Sequence, residues 1–172
     1  DLAPFSNNLR TLGSVADDDA GTLHLVVMGA SLVPFHVANR SFGAPVRVDC
    51  SRCDAGCCFE EWHFLGGGQA VALALGWRSS GQPSDGAITN AVVSVDLATG
   101  VPREIMPFDV HCAVISAAST YSRRSQTLWA WLGCDVSSQA ASLVAFDVAA
   151  PPSTTTSTNA TWLTTAKFPV AP

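Results

Sequence analysis

The chain predicts an all-β fold of about three antiparallel repeats, and three observations predict it. Apolar residues alternate with a period of two in short runs, as in VVSVD (92–96), the mark of a strand with one buried face. The run stops at Asp96-Leu97-Ala98-Thr99-Gly100, where an Asp able to accept from nearby amides and a Gly able to take positive φ spell a tight reversal. The pattern then recurs: TLHLVVMG (22–29), QAVALALG (69–76) and QTLWAWLG (126–133) are strand-like stretches that close on Gly, 47 and 57 residues apart. After each comes a Val/Phe-rich strand that enters a polar turn: SLVPFHVANR (31–40), AVVSVDLATG (91–100) and SLVAFDVAAP (142–151).

Taken in order, residues 1–21 form an N-terminal segment whose PFSNNLRTLGSV offers little strand signal. The first repeat, 22–68, adds a third strand at APVRVDC (44–50) and carries a cysteine-rich loop. The second, 69–125, adds REIMPFD (103–109), and the third, 126–172, adds TWLTTAKFPV (161–170) with a Ser/Thr-rich loop before it. CFEEWHF (58–64) and HCAVISAAS (111–119) are candidate fourth strands, each placed before the next Gly-ended strand. Gly29, Gly76 and Gly133 are expected in equivalent places of superimposable units. Three or four antiparallel strands in a period of roughly 50 residues is what a β-propeller blade shows. Three blades do not close a ring, so the units form an incomplete or assembled ring; a β-sandwich is the alternative that uses the same alternation.

QAVALALG, a loop and then NAVVSVDLATGVPREI resembles a blade of the quinoprotein-like propellers, in which a strand ending in Asp-x-x-Thr-Gly turns back into the next. The third unit has Asp147-Val148-Ala149-Ala150-Pro151 at that place and the first has His36-Val37-Ala38-Asn39-Arg40. The resemblance is a turn signature over residues 22–170; it implies the propeller fold and carries no catalytic or cofactor-binding residue across.

Composition points to the setting. Apolar residues make up 48% and charged residues 13% of the 172-residue chain, with a formal net charge of −5; soluble domains carry about 25% charged residues. No basic cluster exceeds Arg123-Arg124, which argues against nucleic acid, and no apolar run is long enough for a membrane helix. The cysteines are six: Cys50, Cys53, Cys57, Cys58, Cys112 and Cys134. Two N-glycosylation sequons stand at Asn39-Arg40-Ser41 and Asn159-Ala160-Thr161. An even cysteine count with sequons predicts a secretory route and disulfides whose pairing the spacing leaves open. PPSTTTSTNAT (151–161) reads as an O-glycan carrier at Ser153, Thr154, Thr155, Thr156, Ser157 and Thr158.

Candidate chemistry is sparse. Cys50-x-x-Cys53, Cys57-Cys58 and His63 have the residue types of a zinc site but poor spacing, so disulfides are the expectation and no metal is assigned. Glu60, Glu61 and His63 beside Trp62 are the best acid–base cluster, although strand alternation would send Glu60 and Glu61 to opposite faces. His24, His36 and His111 read as structural histidines, and Asp17-Asp18-Asp19 as a turn whose carboxylates are not spaced for calcium. Gly66-Gly67-Gly68 lacks the Lys of a phosphate loop and reads as a sharp turn. Trp129 and Trp131 share one strand face and form a candidate interaction surface, for another sheet or for carbohydrate.

No catalytic residue and no cofactor is therefore assigned. The reading is an extracellular, glycosylated structural or interaction module, such as a subunit of a surface filament, appendage or coat. Its partners would be further copies of itself or further blades of a longer chain. A fragment of a carbohydrate-active or oxidoreductase propeller is the alternative.

Overall fold

In a computed structural model, the structure describes residues 11–27, 31–54, 58–78, 89–108, 114–134, 140–149 and 160–167. These residues form strands and turns and, among them, no helix. The first sheet holds β1 (Thr11–Asp17), β2 (Thr22–Val27), β3 (Ser31–His36), β4 (Ser41–Phe42) and β5 (Val46–Arg47); the last two share the far side of β3. The second is β6 (Phe59–Gly66), β7 (Gln69–Trp77), β8 (Thr89–Asp96) and β9 (Pro102–Phe108). The third is β10 (Val114–Ser122), β11 (Thr127–Cys134), β12 (Ala140–Asp147) and β13 (Ala160–Lys167). Every pairing is antiparallel, and each joins strands consecutive in the chain except that of β5, which pairs with β3.

The all-β, antiparallel expectation holds, but the sheets group the strands one step earlier than the repeat boundaries at 22, 69 and 126. TLGSVAD is β1 and pairs with β2, while CFEEWHF and HCAVISAAS supply β6 and β10, the first strands of the following sheets. Repetition extends to single hydrogen bonds. Val37 N–H donates to the Gly21 carbonyl (3.1 Å), Leu97 to Gly68 (2.9 Å) and Val148 to Gln126 (2.9 Å). The accepting residue is left-handed each time, with φ of 60°, 71° and 51°. The closing glycines repeat less well. Gly29 lies outside the described residues; Gly76 takes φ 82° in a bulge of β7, and Gly133 is one residue nearer its own left-handed turn residue and is not left-handed.

The second sheet is buried on both faces, which corrects the one-faced reading of VVSVD: Val92, Val93 and Val95 are all 0% exposed. Ala70, Ala72, Ala74, Ala91, Val93 and Val95 pack against Val15, Val26, Leu32 and Val48 of the first sheet. Val71, Leu73 and Val92 pack with Leu128, Leu132, Val144 and Phe146 of the third. Alternation of Ala with Val and Leu in β7 thus separates a small-residue face from a large-residue face, both apolar.

The three sheets converge along their first strands: β1 lies against β6, and β6 against β10. Arg123, in the β10–β11 turn, lies 5.2 Å over the Phe64 ring of β6 and reaches Asp19 of the β1–β2 turn at 3.8 Å. In a parallel-sided stack at about 10 Å per sheet, the first and third sheets would stand about 20 Å apart, too far for one arginine to bridge. The sheets therefore splay from a common edge.

Candidate functional site

The seam between β6 and β10 gathers the best-placed polar groups. Register jumps from Glu60↔Leu73 to His63↔Val71, so one extra residue sits in β6, and Glu61 there has φ 53°. Such a bulge re-aims side chains. Glu60 and His63 lie in register with Leu73 and Val71, which face the third sheet, and the Glu61 carboxylate reaches the same side, accepting the Ser119 N–H at 3.0 Å. The expectation of opposite faces for Glu60 and Glu61 is thereby overturned. Burial and the neighbouring Glu61 push the Glu60 carboxyl above its ordinary range.

His63 Nε2 lies 2.7 Å from Ser119 Oγ, a partner 56 residues away that strand patterns do not reveal. Burial lowers the His63 pKa, against the opposing pull of Glu61. A nucleophile–base pair has this spacing. The Glu61 carboxylate accepts from the Ser119 backbone beside this pair, so both contacts tie β6 to β10.

Elsewhere Asp17 and His36 have structural partners, while His24 Nδ1 is buried with no hydrogen-bond partner among the described residues. Asp17 is buried, and its Oδ1 accepts the Ala20 N–H at 3.0 Å in the β1–β2 turn. His24 is buried, and its pKa falls through burial, partly countered by Asp17. His36 Nδ1 pairs with Thr22 Oγ1 at 3.3 Å. His111 lies outside the described residues. Gly66, Gly67 and Gly68 all take positive φ at the β6–β7 turn, as a sharp reversal requires.

The cysteine-rich segment forms a strap along β7. Cys53 bonds Cys58 and pairs with Trp77 in a bridge. Asp54 N–H donates to the Gly76 carbonyl and Arg78 N–H to that of Arg52. Arg52 stacks 4.5 Å over the fully buried Trp77, and both donate to Glu104 Oε2, at 3.2 and 2.8 Å. Cys50, Cys53 and His63 are not brought together as ligands, since His63 faces Ser119 across the other seam. Among the described residues, no group of three His, Cys, Asp or Glu side chains has metal-holding geometry. Cys57 and Cys112 lie outside the described residues, as does the side chain of Cys134.

Trp129 is 38% exposed and Trp131 half-buried on the face of β11 opposite Leu128, Ala130 and Leu132. Across the sheet Trp129 stands between Thr120 and Ala145, and Trp131 between Ala118 and Leu143. Asn39 is exposed in the β3–β4 turn, whereas Asn159 and the hydroxyl run Ser153–Thr158 fall outside the described residues. Among the described residues, no helix is long and apolar enough to cross a membrane. No protein-family model matches the chain, and no curated protein matches its sequence.

Proposed function

We propose that the chain is an extracellular, glycosylated structural or interaction module whose sheets are propeller-like blades, made to be continued by further blades or by further copies of itself. One observation carries this reading: both end faces of the splayed array are apolar. The first sheet turns Leu23, Leu25, Val33, Phe35 and Phe42 away from the second, in rows fixed by register, with Phe42 exposed, Leu23, Leu25 and Phe35 half-buried and Val33 buried. The third turns out Trp129, Trp131, Leu143 and Ala145. Within the chain, faces of this kind are buried against a neighbouring sheet, and β-repeats need closure or capping to stay soluble. The shared edge at β1, β6 and β10 supports the radial, blade-like reading over a sandwich, whose two layers would stand face to face without a common edge. The secretory setting rests on the Cys53–Cys58 bond together with the sequons.

Sedimentation at micromolar concentration, with disulfides and glycans intact, tests the proposal. Assemblies larger than one 17.9 kDa chain plus glycan are expected. A single compact monomer at every concentration would show that the chain covers its own faces, and would refute the reading.

A further inference from the structure

We infer that Asn39 carries an N-linked glycan and that this glycan caps the outer edge of the first sheet, directing association to sheet faces. The inference rests on the secretory reading above. In the β3–β4 turn, Ser41 donates twice to Asn39 Oδ1, through Oγ at 2.8 Å and through N–H at 3.3 Å. Arg40 between them has φ 53°. These bonds hold the Asn39 carbonyl oxygen inward against the turn, and the exposed amide Nδ2 makes no hydrogen bond with a described residue. The acceptor nitrogen is presented to solvent on a fixed turn.

The edge beside it needs a cap. Ser41 opens β4, which with β5 lies on the outer side of β3; the β8–β9 turn covers β5 at Gly100, which leaves the exposed β4 as the open edge. Phe42, 45% exposed, and Val37, 58% exposed, flank the sequon and make this edge apolar. The segment 43–45 interrupts the edge, and Gly43 folds back to donate to the Pro34 carbonyl at 2.8 Å, yet the two residues of β4 themselves carry no charge and no Pro. A sugar on the adjoining turn supplies the bulk and hydration that the strand lacks. In the transfer, Asn39 Nδ2 bonds to the anomeric carbon of a lipid-diphosphate-linked oligosaccharide. The bond from that carbon to the diphosphate breaks, the lipid diphosphate leaves, and the amide proton passes to base.

The test is to secrete the full chain from a eukaryotic host and release N-glycans enzymatically in heavy-oxygen water, which marks each former glycan site as a labelled aspartate. Label at position 39 is expected in most molecules, absent from Asn39→Gln and Ser41→Ala and kept in Ser41→Thr, which retains the hydroxyl. Folded Asn39→Gln protein should bind an amyloid dye at least twofold more than the glycosylated form. Secreted, disulfide-bonded protein with unmodified Asn39 overturns the inference and leaves the secretory reading standing. Full label at 39 with equal dye binding overturns the capping role. Retention inside the cell with reduced thiols sinks the secretory reading and the inference with it.

Discussion

Gly100 shows how one residue ties two sheets together. Its φ is 71°, its carbonyl accepts the Asp49 N–H at 3.0 Å, and a Cβ placed on it would collide with the Arg47 carbonyl. Left-handed backbone alone costs a non-glycine residue about 1–2 kcal/mol, and a backbone clash adds to that. Gly100→Ala should therefore lower unfolding stability by about 2 kcal/mol or more, read as a lower urea midpoint at unchanged slope. The same turn is held by Asp96, whose Oδ1 accepts from Thr99 Oγ1, Thr99 N–H and Ala98 N–H at 2.9, 2.8 and 3.0 Å. These bonds, Thr99 first, hold its carboxyl below the ordinary range. A folded value below the unfolded one means stability that is present above the unfolded value and lost as pH falls through the folded value. The stability gap between the native chain and Asp96→Asn should be full at neutral pH and shrink below about pH 4; a gap independent of pH would refute the assignment. This turn was legible in the sequence because Asp and Gly are chemically marked for it. Glu61 and Gln126 were not: ordinary residues forced to φ 53° and 51° leave no composition signal. Ser119 was invisible for a different reason, since only tertiary packing brings it to His63.

Strands read well where both faces are apolar and poorly at the margins. β7 and β8 are rich in Ala, Val and Leu and are buried on both faces, and β11 and β12 are apolar on both faces with Leu128, Ala130, Leu132, Val144 and Phe146 covered by the second sheet. β1 is TLGSVAD, in which Val15 and Asp17 are the buried side chains among the residues whose burial is described, so its period-two signal is faint and its partner β2 makes it a strand. The six cysteines predicted disulfides, and Cys53–Cys58 is one; its role as a clasp on the strap over Trp77 depends on a bridge that spacing does not encode. Closing so short a loop is worth about 2 kcal/mol in the chain-entropy account. Replacing Cys53 and Cys58 together by Ala should lower stability by about that amount and raise the solvent exposure of Trp77, 0% exposed in the intact strap, as a red shift in tryptophan emission. An unchanged emission maximum would mean that Arg52 and Glu104 hold the strap without the bond. Acid should also loosen the seams. His24 and His63 both have lowered values, chiefly through burial, so each favours folding above its unfolded value near 6.5 and ceases to as pH falls through the folded value. His63→Gln, which can still hydrogen-bond Ser119, should flatten the stability profile below about pH 6.5, the unfolded value. A profile as steep as that of the native chain would remove His63 from the account.

For the molecule as a whole, the two internal interfaces and the two outer faces pose different tests of the same alternation. Leu73 is 0% exposed between the second and third sheets, so Leu73→Ala should cost about 2–5 kcal/mol of chain stability whatever the assembly state. Trp129 lies on the outer face of the third sheet, with small neighbours Thr120 and Ala145 on either side, and its ring is open to a partner. An indole in a fully covered interface is a common source of binding energy, and a charge placed there is left buried without a partner. Trp129→Glu should therefore weaken self-association at least tenfold in sedimentation, about 1.4 kcal/mol, while the urea midpoint of the dissociated chain stays within about 0.5 kcal/mol of the native value, as for a surface change. The two readouts separate the alternatives. Lost stability with unchanged association would put Trp129 in the chain's own core. Unchanged association with unchanged stability would leave the third sheet's outer face free, and the array would then grow from the first sheet alone.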